Sequence, residues 1–222
     1  MERPFDSCYP VRMTGMVQTS LFDTPVRDDG VEPLDGLVTR QVLGRGAWVD
    51  LLPGWLSGAD ALFDTLLGEV PWVAERRQMY ERVVDVPRLL CFYGEGDPLP
   101  HPALDAAREA LNAHYGPELG EPFTTAGLCL YRDGRDSVAW HGDTIGRGRM
   151  EDTMVAIVSL GSPRHLMLRP RGGGAAIRQQ LGHGDLVVMG GSCQRTWEHA
   201  IPKTSRPVGP RISVQFRPHG VR

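Results

Sequence analysis

At 222 residues, 41% hydrophobic and 23% charged, the chain has the make-up of one soluble globular domain with a sizeable core. Its net charge of −3 excludes a general attraction to nucleic acid; such a partner needs local basic patches, as in ERRQ at 75–78 or RPRGGG at 169–174. No apolar run is long enough to cross a bilayer, no signal-peptide core is visible near Met1, and four singly placed cysteines (Cys8, Cys91, Cys129, Cys193) fit a reduced, cytoplasmic protein.

Residues 1–35 mix Pro, Asp, Arg and Gly without periodicity and predict a poorly ordered arm, leaving 36–222 as a single domain. AWVDLLPGWL at 47–56 predicts a short strand running into a turn. SGADALFDTLLGEV then predicts a helix capped by Ser57, with Leu62, Phe63, Leu66 and Leu67 on one face. A second helix begins at Pro102, repeats Leu104, Ala107 and Leu111 on one face, and is expected to end at Gly116-Pro117. Beyond residue 120 the character changes to eight short apolar runs separated by Gly, Pro and Asp: LCLYRD, SVAWH, TMVAIVSLG, RHLMLRP, AAIRQQL, DLVVMGG, RTWEHAI and RISVQFRP. No glycine-rich phosphate loop precedes a helix, so a nucleotide-binding α/β fold has no support. The pattern predicts an α+β fold, with N-terminal helices packed on a jelly-roll core.

The tripeptide His-Gly-Asp occurs twice, in AWHGDTIG at 139–146 and in LGHGDLVVMGG at 181–191. His183 and Asp185 are interleaved with Gly182 and Gly184 and run straight into an apolar strand, the pattern of a hairpin turn whose histidine sits in solvent. The first copy ends an apolar strand. Residues two apart on a strand share a face, so His141 and Asp143 point together while Trp140 points away. Two histidines and a carboxylate on one face of an ion make a non-haem iron site, and His199 in TWEHAIP is the natural third ligand. Equally, a lone H-x-D can be a turn and His199 a core histidine. In PRISVQFRP at 210–218, Ile212, Val214 and Phe216 alternate with Arg211, Ser213, Gln215 and Arg217, so the polar set is either solvated or lines a cavity that can hold a dicarboxylate.

Taken in order, LCLYRDGRDSVAWHGD, MVAIVSLG, LGHGDLVVMGG, WEHAIPK and PRISVQFR resemble the AlkB-like Fe(II)- and 2-oxoglutarate-dependent dioxygenases, and VPRLLCFYGE at 86–95 resembles that family's substrate-lid segment. The likeness covers most of 79–217, with 79–100 lid-like and 120–217 the double-stranded β-helix, or jelly-roll, core. It implies that His141, Asp143 and His199 hold Fe(II), while the second His-Gly-Asp is structural. It further implies that Arg211 pairs with the distal carboxylate of 2-oxoglutarate, that Arg217 lies near the keto-acid end, and that Tyr131 hydrogen-bonds the co-substrate. Cys129 and Ser213 stand where the family commonly has asparagine, and Gln215 where it has threonine.

The activity implied is oxidative demethylation of N-alkylated bases in DNA or RNA, with O2 consumed and formaldehyde, succinate and CO2 released. Single strands are the expected substrate, since an unstacked base avoids the cost of flipping. Arg88, Tyr93 and Trp140 are the candidate substrate contacts, and the protein is expected to be monomeric and free of membrane. Two other readings stand beside it: the same chemistry on a small metabolite or protein side chain, and a non-catalytic nucleic-acid-binding barrel.

Overall fold

The strict alternation of the second half resolves into two antiparallel sheets in the computed structural model, which describes residues 30–79 and 82–221. In chain order the strands are β1 (Thr39–Gly44), β2 (Ala47–Leu52), β3 (Val73–Met79), β4 (Arg82–Tyr93), β5 (Phe123–Tyr131), β6 (Val138–His141), β7 (Val155–Gly161), β8 (Arg164–Pro170), β9 (Ile177–Leu181), β10 (Asp185–Gly191), β11 (Trp197–Ile201) and β12 (Arg211–Pro218). Helices α1 (Ala59–Glu69) and α2 (Pro102–Leu119) lie in the first half, and a single turn of helix, α3 (Cys193–Thr196), leads into β11. The larger sheet has the order β1-β2-β10-β7-β12-β5-β4-β3 and the smaller β6-β11-β8-β9. The eight strands predicted after residue 120 are β5 to β12, and they divide four and four between the sheets, as a double-stranded β-helix requires.

Two hydrophobic layers follow from the period of two. On β12, Ile212, Val214 and Phe216 pack with Leu62 and Leu66 of α1 and Leu104 and Leu111 of α2, all 1% exposed or less. Each such side chain contributes roughly 1.5–3 kcal/mol by leaving water. The opposite faces of the same strands meet the smaller sheet through Val155, Ile157, Val187 and Met189 against Leu166, Leu168 and Ile201. Polar residues of β12 therefore point between the sheets, not into solvent.

Several expectations are corrected. Residues 1–29 lie outside the described residues, but 30–35 belong to the fold: Val31 bridges to Leu56 and Leu34 is 4% exposed. Ser57 does not cap α1; Gly58 holds that position at φ 70°, and the Ser57 hydroxyl accepts the Gly30 N–H at 2.9 Å instead. On α1, Leu67 is 36% exposed and outside the buried face. Helix α2 runs past Pro117 to Leu119 and is capped by Gly120, whose N–H reaches the Gly116 carbonyl at 2.8 Å; the proline gives up its own backbone hydrogen bond without ending the helix. The first half also carries four strands, where only β2 was expected; β1, β3 and β4 extend the larger sheet at its two edges. The lid-like segment includes an integral strand, β4, paired with β5 from Leu89 to Tyr93.

Helix α2 is tied to β2 by Asp50, which is 2% exposed. Arg40 donates to both its carboxylate oxygens at 2.8 Å, and the Tyr115 hydroxyl donates to Oδ2 at 3.1 Å. Asp50→Ala strands the Tyr115 hydroxyl, while Arg40 keeps Glu118. The expected loss is roughly 2–3 kcal/mol in urea unfolding, the low side of the cost of breaking a buried pair because Arg40 is partly solvated.

Candidate metal centre

Strands β6 and β11 pair with His141 directly opposite His199, and the imidazole centroids lie 4.2 Å apart. Asp143 follows two residues later on the same side, and the candidate ligand atoms of His141, Asp143 and His199 all lie within 4.8 Å of one another. The Nδ1 atom of His141 faces two carbonyl oxygens, Ala139 at 2.8 Å and His199 at 3.1 Å. That nitrogen therefore carries the proton, and Nε2, 3.6 Å from Asp143 Oδ1, is left bare for a metal. Burial, with His141 beside it, pushes the His199 pKa down to about 3, so that imidazole is neutral. Burial alone would raise the Asp143 carboxyl, but Arg217 and the two histidines outweigh it and hold it well below the usual carboxylate range. Two imidazoles and a carboxylate are the donor set of a facial iron site.

Behind these ligands lies a cavity that reaches Tyr131 and Arg211. Arg211 is 1% exposed; its Nε donates to Ser159 Oγ at 3.0 Å, its guanidinium sits 5.3 Å from the Tyr131 ring centroid, and its Nη1 is buried without a hydrogen-bond partner. Among the described residues no carboxylate pairs with it. Such a charge in a cavity fits an anionic ligand. Burial, then the neighbouring Cys129, pushes the Tyr131 hydroxyl up to about 12, so it remains a donor. Arg217 differs: its Nε donates to Asp143 Oδ2 at 2.7 Å, so this arginine first orients a metal ligand and only shares the cavity wall. The three family departures touch one another: Cys129 Sγ lies 3.6 Å from Gln215 Oε1, and Gln215 Nε2 donates to the Ser213 hydroxyl.

The second His-Gly-Asp is a turn, with Gly184 at φ 78°. Its side chains are more engaged than a solvent-facing turn suggests. Asp185 accepts the Gly54 and Gly182 N–H groups at 2.9 and 2.6 Å. The His183 Nδ1 accepts the Gly161 N–H at 2.7 Å, and the ring packs on Phe63. Its Nε2 is 3.1 Å from the exposed Asp60 carboxylate but not aligned to bond with it, so this contact is a weak ion pair at most.

A broad cleft opens from the metal ligands onto the surface. Of the three candidate substrate contacts, only Arg88 reaches the metal cavity; it lines both cavity and cleft, donates to the Ser137 carbonyl at 3.3 Å and keeps a buried, unpartnered Nε. Tyr93 is five residues further along β4, hence on the opposite face, where it packs against the helical layer. Phe92, 46% exposed, is the aromatic that lines the cleft. Trp140 lies under the Arg169 guanidinium at 4.2 Å, on the outer face of the smaller sheet, and reaches only the cleft rim. The arginines of RPRGGG are not a free basic patch either, since Arg169 and Arg171 both approach Glu198, at 3.0 and 3.9 Å. Sequence reasoning passed over Ser159, Phe92 and Gln194; a serine inside the apolar run VAIVSLG was the one available signal.

Residues 49–217 match the family described as the 2OG-Fe(II) oxygenase superfamily. The chain is 31% identical to alpha-ketoglutarate-dependent dioxygenase alkB homolog 3 of Bos taurus over 194 residues, covering 76% of this chain and 65% of that protein. It is 27% identical to DNA oxidative demethylase ALKBH2 of Homo sapiens, over 72% of this chain and 68% of that protein. A solved structure titled as that of OsALKBH1 superposes on 82% of the chain and 100% of its own length, with a TM-score of 0.56 at 14% identity, a likeness of fold. No helix among the described residues is long and apolar enough to cross a membrane.

The two tripeptides should separate cleanly on mutation. His141→Ala or Asp143→Ala is expected to abolish calorimetric Mn(II) binding while the fold survives. His183→Ala should leave metal affinity within about twofold and cost about 1–2 kcal/mol of stability, because the Gly161 N–H loses its acceptor. Metal loss in the His183 variant alone would reverse the assignment.

Proposed function

The chain belongs to the 2OG-Fe(II) oxygenase superfamily, and from that premise we propose that it oxidatively removes N-alkyl groups from bases in nucleic acid. The single observation that carries the oxygenase reading is the pairing of an anion-seeking guanidinium, Arg211, with the His141, Asp143, His199 set across one cavity. When bound there, Fe(II), 2-oxoglutarate and dioxygen supply the oxidising chemistry, which hydroxylates the alkyl carbon as the co-substrate becomes succinate and CO2. A hydroxylated N-methyl group then sheds formaldehyde and leaves the base restored.

The chain's own residues do the rest. Arg211 and the protonated Tyr131 hydroxyl grip the co-substrate's distal end. Arg217 keeps Asp143 ionised and turned toward the ion. The cleft that opens from the metal ligands admits the substrate. Nucleic acid is the substrate class favoured by the relatives, one of them titled a DNA oxidative demethylase. The cleft is consistent with it: Arg88 beside the metal ligands, and Leu90 and Phe92 further out on the same face of β4. With a net charge of −3, binding rests on a few local cations, and a monomer acting on a single strand is the simplest arrangement.

Formaldehyde release from a panel of methylated single- and double-stranded oligonucleotides tests the substrate. Turnover on single strands at least equal to that on duplexes supports the proposal. No stimulation of succinate formation by any oligonucleotide transfers the chemistry to a small metabolite or protein side chain. Arg211→Ala should weaken 2-oxoglutarate binding by about ten- to a hundredfold, the worth of one charge-assisted contact. The apparent constant for oligonucleotide should move much less. Arg88→Ala should do the reverse, and log affinity for a single strand should fall with log salt at about −0.7 per phosphate contact.

A further inference from the structure

The three candidate ligands leave one part of the first His-Gly-Asp unexplained, its glycine. Gly142 passes directly under α3: a β-carbon at this position would lie 2.3 Å from the Gln194 carbonyl oxygen, a backbone atom that cannot swing aside. Gln194 also reaches back with its side chain, whose Oε1 accepts the Asp143 backbone N–H at 2.9 Å. Arg171 meets α3 beside Gly142, donating from Nε to the Arg195 carbonyl at 2.9 Å and from Nη2 to the Gln194 carbonyl at 3.3 Å. Two segments that carry metal ligands, 141–143 and 197–199, are thus locked together by a residue that is not itself a ligand.

Stability does not account for a glutamine here. Gln194 is 1% exposed, and its Nε2 is buried without a hydrogen-bond partner among the described residues. The buried donor left unmade carries a free-energy cost that offsets what the Gln194 acceptor contributes by pairing with the Asp143 N–H. Turning the amide round gives no relief, because the Asp143 N–H requires the oxygen. Nor does Gln194 line the metal cavity or the cleft, so a contact with substrate is not its purpose. What remains is its acceptor. It fixes the backbone of Asp143, while Arg217 fixes the carboxylate from the opposite end of the residue.

We infer that Gln194 is a positioning residue of the metal centre, holding Asp143 so that its carboxylate meets the ion shared with His141 and His199. The inference rests on the reading of those three residues as metal ligands. Partners that orient ligands in this way typically control metal affinity by about 10- to 100-fold.

Mn(II) titration calorimetry on the metal-free full chain, paired with thermal melting of the same metal-free samples, tests it. Gln194→Met keeps the length and removes the acceptor; Mn(II) affinity should fall about 10- to 100-fold, while the metal-free melting temperature falls no further than in His183→Ala, which likewise strands one backbone N–H and keeps its metal affinity. Gln194→Asn withdraws the amide by one methylene and should give a smaller loss, which keeps the test open if the methionine variant folds poorly. Unchanged affinity in both variants overturns the inference, and so does a loss of affinity that merely tracks a loss of melting temperature. If the wild-type chain itself binds no Mn(II), the ligand assignment fails first and the role of Gln194 falls with it.

Discussion

A positive charge buried without a protein counter-charge organises this molecule. Arg211 is 1% exposed and has no carboxylate partner among the described residues; its Nε donates to the Ser159 hydroxyl. Burial pulls its pKa below the ordinary arginine value, a sign that the site holds the cation at a cost. A chain selected for stability alone would place an apolar side chain there, as replacement of buried ionic groups commonly shows. The cost makes sense if an anion enters the cavity and is paired there. The metal ligands at the other end of the same cavity then set which anion: one with a second group able to bind a metal.

Sheet register delivers those two ends to one place. On β12, Arg211 and Arg217 sit at opposite ends of the strand, beside Tyr131 and Thr125 of β5. Period-two alternation puts both on the inner face, between the sheets, while Ile212, Val214 and Phe216 bind the helices on the outer face. Pairing of β6 with β11 brings His141 and His199 together across fifty-eight residues of chain. Arg217 then holds Asp143 ionised. No residue of the centre is held by local sequence alone, which is why the packed jelly roll is a precondition for the chemistry.

The second half of the fold was legible because its strands alternate cleanly between turn residues. In the first half β2 and the two helices were legible, but β1, β3 and β4 were not, and the reasons are specific. Strand β4 contains Pro87, which argues against a strand, yet the pairing of β3 with β4 is interrupted between Ala74 and Arg76, and the proline falls in that irregular stretch. The exposed edge β1, TRQVLG, carries little apolar pattern to read. At the site, the ligands and Arg211 were visible through motif order. Tyr93 was misassigned although strand parity already separated it from Arg88, and Phe92 was the neighbour on the right face. Gln194 left no trace in the sequence, since its partner Asp143 is fifty-one residues away and the contact is to backbone.

The central claim is that the buried Arg211 exists to receive a carboxylate from a ligand that also reaches the metal. Anaerobic calorimetry on the Mn(II)-loaded wild-type chain, comparing 2-oxoglutarate with 2-oxobutyrate, isolates that contact, because the second compound keeps the keto-acid end and lacks the distal carboxylate. The account predicts that 2-oxobutyrate binds weaker by about one to two orders of magnitude. Equal affinity for the two would contradict it, leaving Arg211 a structural cation and the cavity without an assigned ligand.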